Sequence, residues 1–157
     1  MSHIRQKTID GISPGNVFRV TRTFSEDETR RFGEITRDYN PVHYDDRFSS
    51  AKGFPARICH GLLVAGIITE IGGQIGWLAS GMNFHFMKPV FFGDTVTCAV
   101  TILSVDDNGR ARATAAYTNQ RGEKVLAAEL NGYLPGERER EILRAMVAEG
   151  DPTNRIK

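Results

Sequence analysis

The residues best able to do chemistry lie in one block, from Thr36 to Ile68. Asp38 and His43 stand five apart on a turn-forming segment, Asp38-Tyr39-Asn40-Pro41-Val42-His43. An imidazole and a carboxylate are the commonest groups for moving a proton on and off a reacting centre. Seventeen residues after His43 comes His60-Gly61, and directly behind it the apolar run Leu62 to Ile68. A glycine heading a buried helix offers an exposed backbone N–H, the positive end of the helix dipole and no side chain to hold a substrate away. Each residue alone has a plainer reading. Asp before Asn-Pro is ordinary turn chemistry, because both side chains bond nearby backbone. Asn40 suits the fixing of that loop, His60 a structural helix start, Gly61 close packing and His85 a strand position.

The surrounding elements must hold these groups in place. Residues 1–15 end in Ser13-Pro14-Gly15 and read as a lead-in loop. Val17–Phe24 reads as a strand with Phe18 and Val20 on one face. Ser25 with Glu28 forms a capping-box pattern, which starts a helix running to about Thr36 and burying Phe32 and Ile35. Pro41 turns Asn40 away from helical dihedrals, so Asp38 and His43 fall in the loop after that helix. One short helical turn is expected at Asp45–Ser50 and a loop at Ser49–Arg57. Gly61–Leu78 is then read as one dominant helix, about 27 Å long at 1.5 Å per residue. Being apolar nearly all round in its first half, it should be buried on most sides.

From residue 82 the period becomes two. Val96, Cys98, Val100 and Ile102 share one face of a strand, Thr95–Ser104. Asp107-Asn108-Gly109 is a hairpin signal leading to Ala111–Asn119. Arg121-Gly122-Glu123 turns into a last strand, Val125–Leu134. A strand, a buried helix and an antiparallel meander make an α+β layer. The charge-rich residues 135–157 read as a tail or a short amphipathic helix.

The chain has 157 residues, 40% of them hydrophobic and 25% charged, which fits one ordinary domain over 1–157 with its core at about 13–134. A net charge of +1 argues against a nucleic-acid surface. The N-terminus MSHIRQKTIDG lacks the apolar core of a signal peptide, and no apolar run is long enough to span a membrane. Cys59 and Cys98 sit in apolar surroundings and read as reduced core thiols of a cytoplasmic protein. Neither CxxC nor HExxH occurs, so no metal site is expected.

Asp38-Tyr39-Asn40-Pro41-Val42-His43-Tyr44-Asp45 resembles the D-x-N-P-x-H-x-D signature of the MaoC-like hydratases, which include the (R)-specific enoyl-CoA hydratases. Ile58-Cys59-His60-Gly61-Leu62-Leu63 is similar to the family's apolar-His-Gly segment. Phe86-Met87-Lys88-Pro89-Val90-Phe91-Phe92-Gly93-Asp94 is similar to its F-x-x-P-V-x-x-G-D strand. The three blocks come in register, and the resemblance covers roughly residues 13–134. It implies a hotdog fold, in which a curved antiparallel sheet wraps a long central helix, assembled as a homodimer or a dimer of dimers. It implies hydration of a trans-2-enoyl-CoA thioester with no metal or organic cofactor. Asp38 and His43 would share the catalytic water, and Gly61 would polarise the thioester oxygen. Asn40, Arg57, His60 and Thr69 are the candidate substrate-binding residues.

Two positions depart from the family. Arg37 stands where Gly commonly precedes the Asp, and Arg57 where Pro often stands three before the His. Their charge motivates a rival reading, a hydratase or dehydratase of a branched or carboxylated CoA ester. A thioesterase fits the pattern less well. A rival of another class is a non-catalytic hotdog that binds acyl-CoA, which loss of Asp38 or His43 would have favoured.

Overall fold

The structure is a computed structural model and describes residues 2–155; residues 1, 156 and 157 of the expected domain lie outside the described residues. Five strands form one antiparallel sheet in the order β1-β3-β4-β5-β2. They are β1 (Val17–Thr23), β2 (Leu78–Phe86), β3 (Thr95–Val105), β4 (Arg110–Asn119) and β5 (Lys124–Tyr133). The β3-β4-β5 meander is the one its alternation predicts. Val96, Cys98, Val100 and Ile102 are all buried, and Gly109 and Gly122 turn the two hairpins with positive φ.

The buried face packs on a helical layer, α4 (Gly61–Ala65) and α5 (Ile68–Ile75). Ile67, Ile71 and Ile75 are inaccessible and share one core with Phe18, Val100 and Leu126. The single helix expected over Gly61–Leu78 is thus two pieces. At the junction the N–H of Ile67 bonds the Val64 carbonyl (3.2 Å) and that of Thr69 bonds the Gly66 carbonyl (2.9 Å), an i to i−3 tightening. The tightening takes Thr69 N–H away from the Ala65 carbonyl, which accepts instead from the buried Tyr117 hydroxyl on β4 (2.8 Å). Gly76, left-handed, then ends α5. β2 therefore begins at Leu78, four residues before the sequence period changes.

Two further expectations are corrected. Residues 3–10 are not loop but a helix, α1 (His3–Asp10), in which Ser2 Oγ accepts from the Arg5 N–H. Its inner face is Ile4, Arg5, Thr8 and Ile9, and the buried Arg5 pairs with the buried Asp151 at 3.5 Å. Helix α2 (Glu26–Thr36) starts with the expected capping box, yet Ile35 is 82% exposed and Phe32 only half-buried. Its buried positions are the small Thr29 and Gly33. A Cβ on Gly33 would overlap the Tyr44 hydroxyl, so the glycine admits the chain that carries His43. Asp45 caps α3 (Asp46–Ala51), the short helix expected there. The C-terminal segment holds α6 (Glu137–Ala148), a helix with no buried residue.

Candidate active site

Arg37 ends α2 in the left-handed region (φ 60°), the one non-glycine positive φ among the described residues. That conformation costs a Cβ-bearing residue about 1 kcal/mol or more, a cost that glycine would avoid. The reversal turns Asp38 into a loop where its Oδ1 accepts from the Asn40 N–H (3.2 Å). Asn40 Oδ1 accepts from the Val42 N–H (3.2 Å) and so caps a 3-10 turn, Pro41–His43. The loop-fixing role expected of Asn40 is what its carbonyl oxygen does.

His43 ends that turn, buried, with Nδ1 2.8 Å from the Ile58 carbonyl. A carbonyl only accepts, so Nδ1 carries the hydrogen and Nε2 is left bare in the neutral ring. Nε2 lies 3.9 Å from Asp38 Oδ2, too far for a hydrogen bond and close enough for one water to bridge. Burial pushes the His43 pKa below its ordinary 6.5, and neighbouring His60 pushes the same way; the Ile58 hydrogen bond and Asp38 oppose them. At neutral pH His43 is therefore an uncharged base facing a carboxylate.

His60 joins this pair. It is 1% exposed, its Nε2 lies 2.9 Å from the Asp38 carbonyl, and its ring lies on that of His43 with centroids 3.8 Å apart and planes 30° from parallel. Asp38, His43 and His60 are the one described group whose side chains could be read as a cation site. A ring nitrogen binds a metal in its own plane at about 2.0–2.1 Å. Two rings stacked face to face do not aim such lone pairs at one point, so the arrangement suits proton chemistry better than ligation.

A cavity of about 380 Å³ opens beside this group, lined by His43, Ile58, Gly61, Val64, Phe86 and Val90 among others. That is within the usual range for small-molecule sites. The Cys59 N–H bonds the Val90 carbonyl (2.8 Å) and Ile58 bridges to Phe91, which ties the strand segment of the third sequence block to this wall. Gly61 opens α4, and the Phe86 ring lies where its Cβ would be, 2.7 Å from Cε1. Burial pushes the Cys59 thiol up to about 11, so it is no nucleophile at neutral pH.

The remaining candidates lie apart from the pair. Arg57 is committed to Glu26 (2.7 Å) and Asp46 (3.2 Å), with its guanidinium over the Phe92 ring. Thr69 gives its hydroxyl to the Gly66 carbonyl and borders a second, apolar cavity of about 340 Å³ along α5. Sequence reasoning missed Phe86, which lies over Gly61, and Tyr44, which fills the space of Gly33. An aromatic opening the third block was visible, but nothing local says which glycine it covers.

Residues 12–124 match the family model of the MaoC-like domain. An (R)-specific enoyl-CoA hydratase from Aeromonas caviae is 30% identical over 126 residues, spanning 77% of this chain and 94% of that one. A mitochondrial 3-hydroxyacyl-[acyl-carrier-protein] dehydratase from Arabidopsis thaliana is 27% identical over 140 residues, 85% of this chain and 83% of that one. The solved structure of an A. caviae (R)-hydratase superposes with a TM-score of 0.75 at 29% identity, covering 80% of this chain and 98% of that one. The architecture is the hotdog fold. The chain belongs to the MaoC-like family, and it is an enzyme of the hydratase and dehydratase type that the family groups.

Proposed function

We propose that this protein catalyses the reversible, (R)-specific hydration of a trans-2-enoyl-CoA to a 3-hydroxyacyl-CoA. The observation that carries the reading is the bare Nε2 of a buried, neutral His43 facing Asp38 Oδ2 at 3.9 Å beside a cavity of small-molecule size. A water held between the two loses a proton to this pair as its oxygen attacks C3. A proton from the same pair reaches C2. Charge developing on the thioester oxygen meets the N–H groups of the first turn of α4, which Gly61 opens without a side chain of its own. A donor so placed is worth about 3 kcal/mol of barrier lowering. No metal or organic cofactor has a step in this scheme, because the thioester itself acidifies C2.

For the substrate, Thr69 and the apolar cavity it borders support a place for the distal acyl chain. Arg57, already paired twice, gives little support to a carboxylated substrate, so simple enoyl-CoAs are the first choice. The reading includes a homodimer. Leu78, Met82 and Phe86 on the edge strand β2, with the adjoining Met87, are about half exposed or more, an apolar edge that a second copy would cover. It also includes a cytoplasmic setting, supported by two unpaired thiols; no helix among the described residues is long and apolar enough to cross a membrane.

The test is loss of enoyl-thioester absorbance with crotonyl-CoA and longer trans-2-enoyl-CoAs, followed by chiral analysis of the product. Turnover to the (R)-3-hydroxyacyl ester is the expected outcome. A protein that binds these esters but adds water to none of them would be the non-catalytic hotdog instead.

A further inference from the structure

One buried histidine has no chemical part in the scheme above, yet it touches both of the residues that do. His60 Nε2 donates to the Asp38 carbonyl at 2.9 Å, and the His60 ring lies on the His43 ring at 3.8 Å. Its other nitrogen, Nδ1, is buried without a partner. An orphaned polar atom costs roughly 1–3 kcal/mol, which an apolar residue at the head of α4 would avoid. A helix start has no use for this ring either, since the His60 side chain makes no cap bond to α4. The Phe32 ring also packs against it, with centroids 5.3 Å apart.

The loop that carries Asp38 needs an outside anchor. Arg37 holds it in a left-handed reversal that L-residues disfavour, and Asp38 is half exposed. The bonds from Asn40 to Asp38 Oδ1 and from Val42 to Asn40 Oδ1 stay within residues 38–42 and leave the Asp38 carbonyl to an outside donor. Tyr44 Oη reaches the Asp38 carbonyl only at 3.5 Å. Ser49 Oγ holds the far end of the loop through the Val42 carbonyl (2.8 Å), and the short bond to its Asp38 end comes from His60, which is fixed in the core at the start of α4.

We propose that His60 is a positioning residue for the proposed hydration: its Nε2–H holds the Asp38 main chain while its face holds the His43 ring, which sets Oδ2 and Nε2 at the separation one water can bridge. The inference rests on the Asp38–His43 reading above. The groups facing His43 are Asp38 on the loop, Tyr44 after the turn and His60 at the head of α4.

The test compares wild type with His60→Phe, which keeps an aromatic face and loses the donor, and with His60→Gln, whose amide N–H can still reach the Asp38 carbonyl. Steady-state kinetics on a turned-over enoyl-CoA are read beside NMR titration of the His43 ring, a readout that needs no turnover. His60→Phe is expected to lose tenfold to a hundredfold in kcat, as displacements of about 1 Å do, with KM within threefold. His60→Gln should recover at least threefold of that loss. The His43 midpoint should rise in both variants, because His60 helps hold it down. The proposal is overturned by kcat within threefold of wild type in both variants, by a loss confined to KM, or by an unmoved His43 midpoint. If His60→Phe does not fold, His60→Leu, which also lacks the donor, takes its place in the comparison with His60→Gln. Should wild type hydrate nothing, that titration still reports whether the His60 ring lies against His43, so the two failures are separable.

Discussion

Adding one methyl group at Gly61 should separate binding from chemistry. A Cβ built there lies 2.7 Å from Phe86 Cε1, 3.0 Å from Cδ1 and 3.3 Å from Cζ. The first distance is closer than carbon atoms tolerate, so something must shift. Phe86 is 56% exposed in the single chain and ends the edge strand assigned to the dimer contact, so its ring must shift toward the partner copy. The methyl then occupies the approach to the N–H groups that open α4. Under the proposed chemistry, Gly61→Ala should lower kcat by about 10² to 10³, or roughly 2.7–4 kcal/mol, the loss seen when an oxyanion donor is removed. The denaturation midpoint should fall modestly, because the displaced ring is taken up at the dimer edge, and the activity loss should exceed what that fall explains. A second variant, Gly61→Ala with Phe86→Leu, relieves the clash but not the obstruction, so it should stay slow. Stopped assays of enoyl-thioester absorbance at saturating substrate measure kcat, and urea titration measures stability. Recovery of the double variant to near wild-type turnover would refute the reasoning, since it would assign the loss to the displaced ring rather than to blocked access.

Other outcomes follow from particular contacts. Arg37→Gly relieves the left-handed backbone and should stabilise the fold by about 1 kcal/mol, a rise of roughly 2–4 °C in Tm for a chain of this size; a fall would mean that the Arg37 side chain makes a compensating contact. Tyr117→Phe orphans the buried Ala65 carbonyl at the junction of α4 and α5 and should cost about 1–3 kcal/mol in a urea titration; no loss would mean that another donor reaches that carbonyl. His43 binds its proton more weakly folded than unfolded, so between its lowered pKa and 6.5 the unfolded chain holds more protons. Its contribution to stability is thus complete above about pH 6.5 and lost as pH falls toward the lowered value, and kcat/KM should fall on the acid side with a midpoint below 6.5. A midpoint above 6.5 would contradict the neutral base.

The sheet was legible because its signals are local. The alternation of Val96, Cys98, Val100 and Ile102 and the Asn108-Gly109 turn each depend on a few neighbouring residues. The spacing of Asp38 and His43 was equally legible, since one capping box and one proline bracket the loop. What sequence could not show rests on partners far along the chain. Helix α1 looks polar because its buried face includes Arg5 and Thr8, and Arg5 is compensated by Asp151, near the other terminus. The break between α4 and α5 leaves a carbonyl that is satisfied by a hydroxyl from β4. Ile35 looks like a core position by period, but α2 packs through Thr29 and Gly33 and leaves it in solvent. His60 was visible as a residue with possible function. Its stacking on His43 and its bond to Asp38 exist only once the loop and the central helix meet.

The central claim is that Asp38 and His43 jointly activate a water. The most direct measurement is kcat for hydration of crotonyl-CoA by wild type, Asp38→Asn and His43→Gln, each shown to be folded. Asn keeps the Oδ1 that accepts from Asn40 but takes up no proton, and Gln removes the bare Nε2. Each variant should lose about 10² or more in kcat and still bind the product ester. Turnover within tenfold of wild type in either variant would contradict that claim.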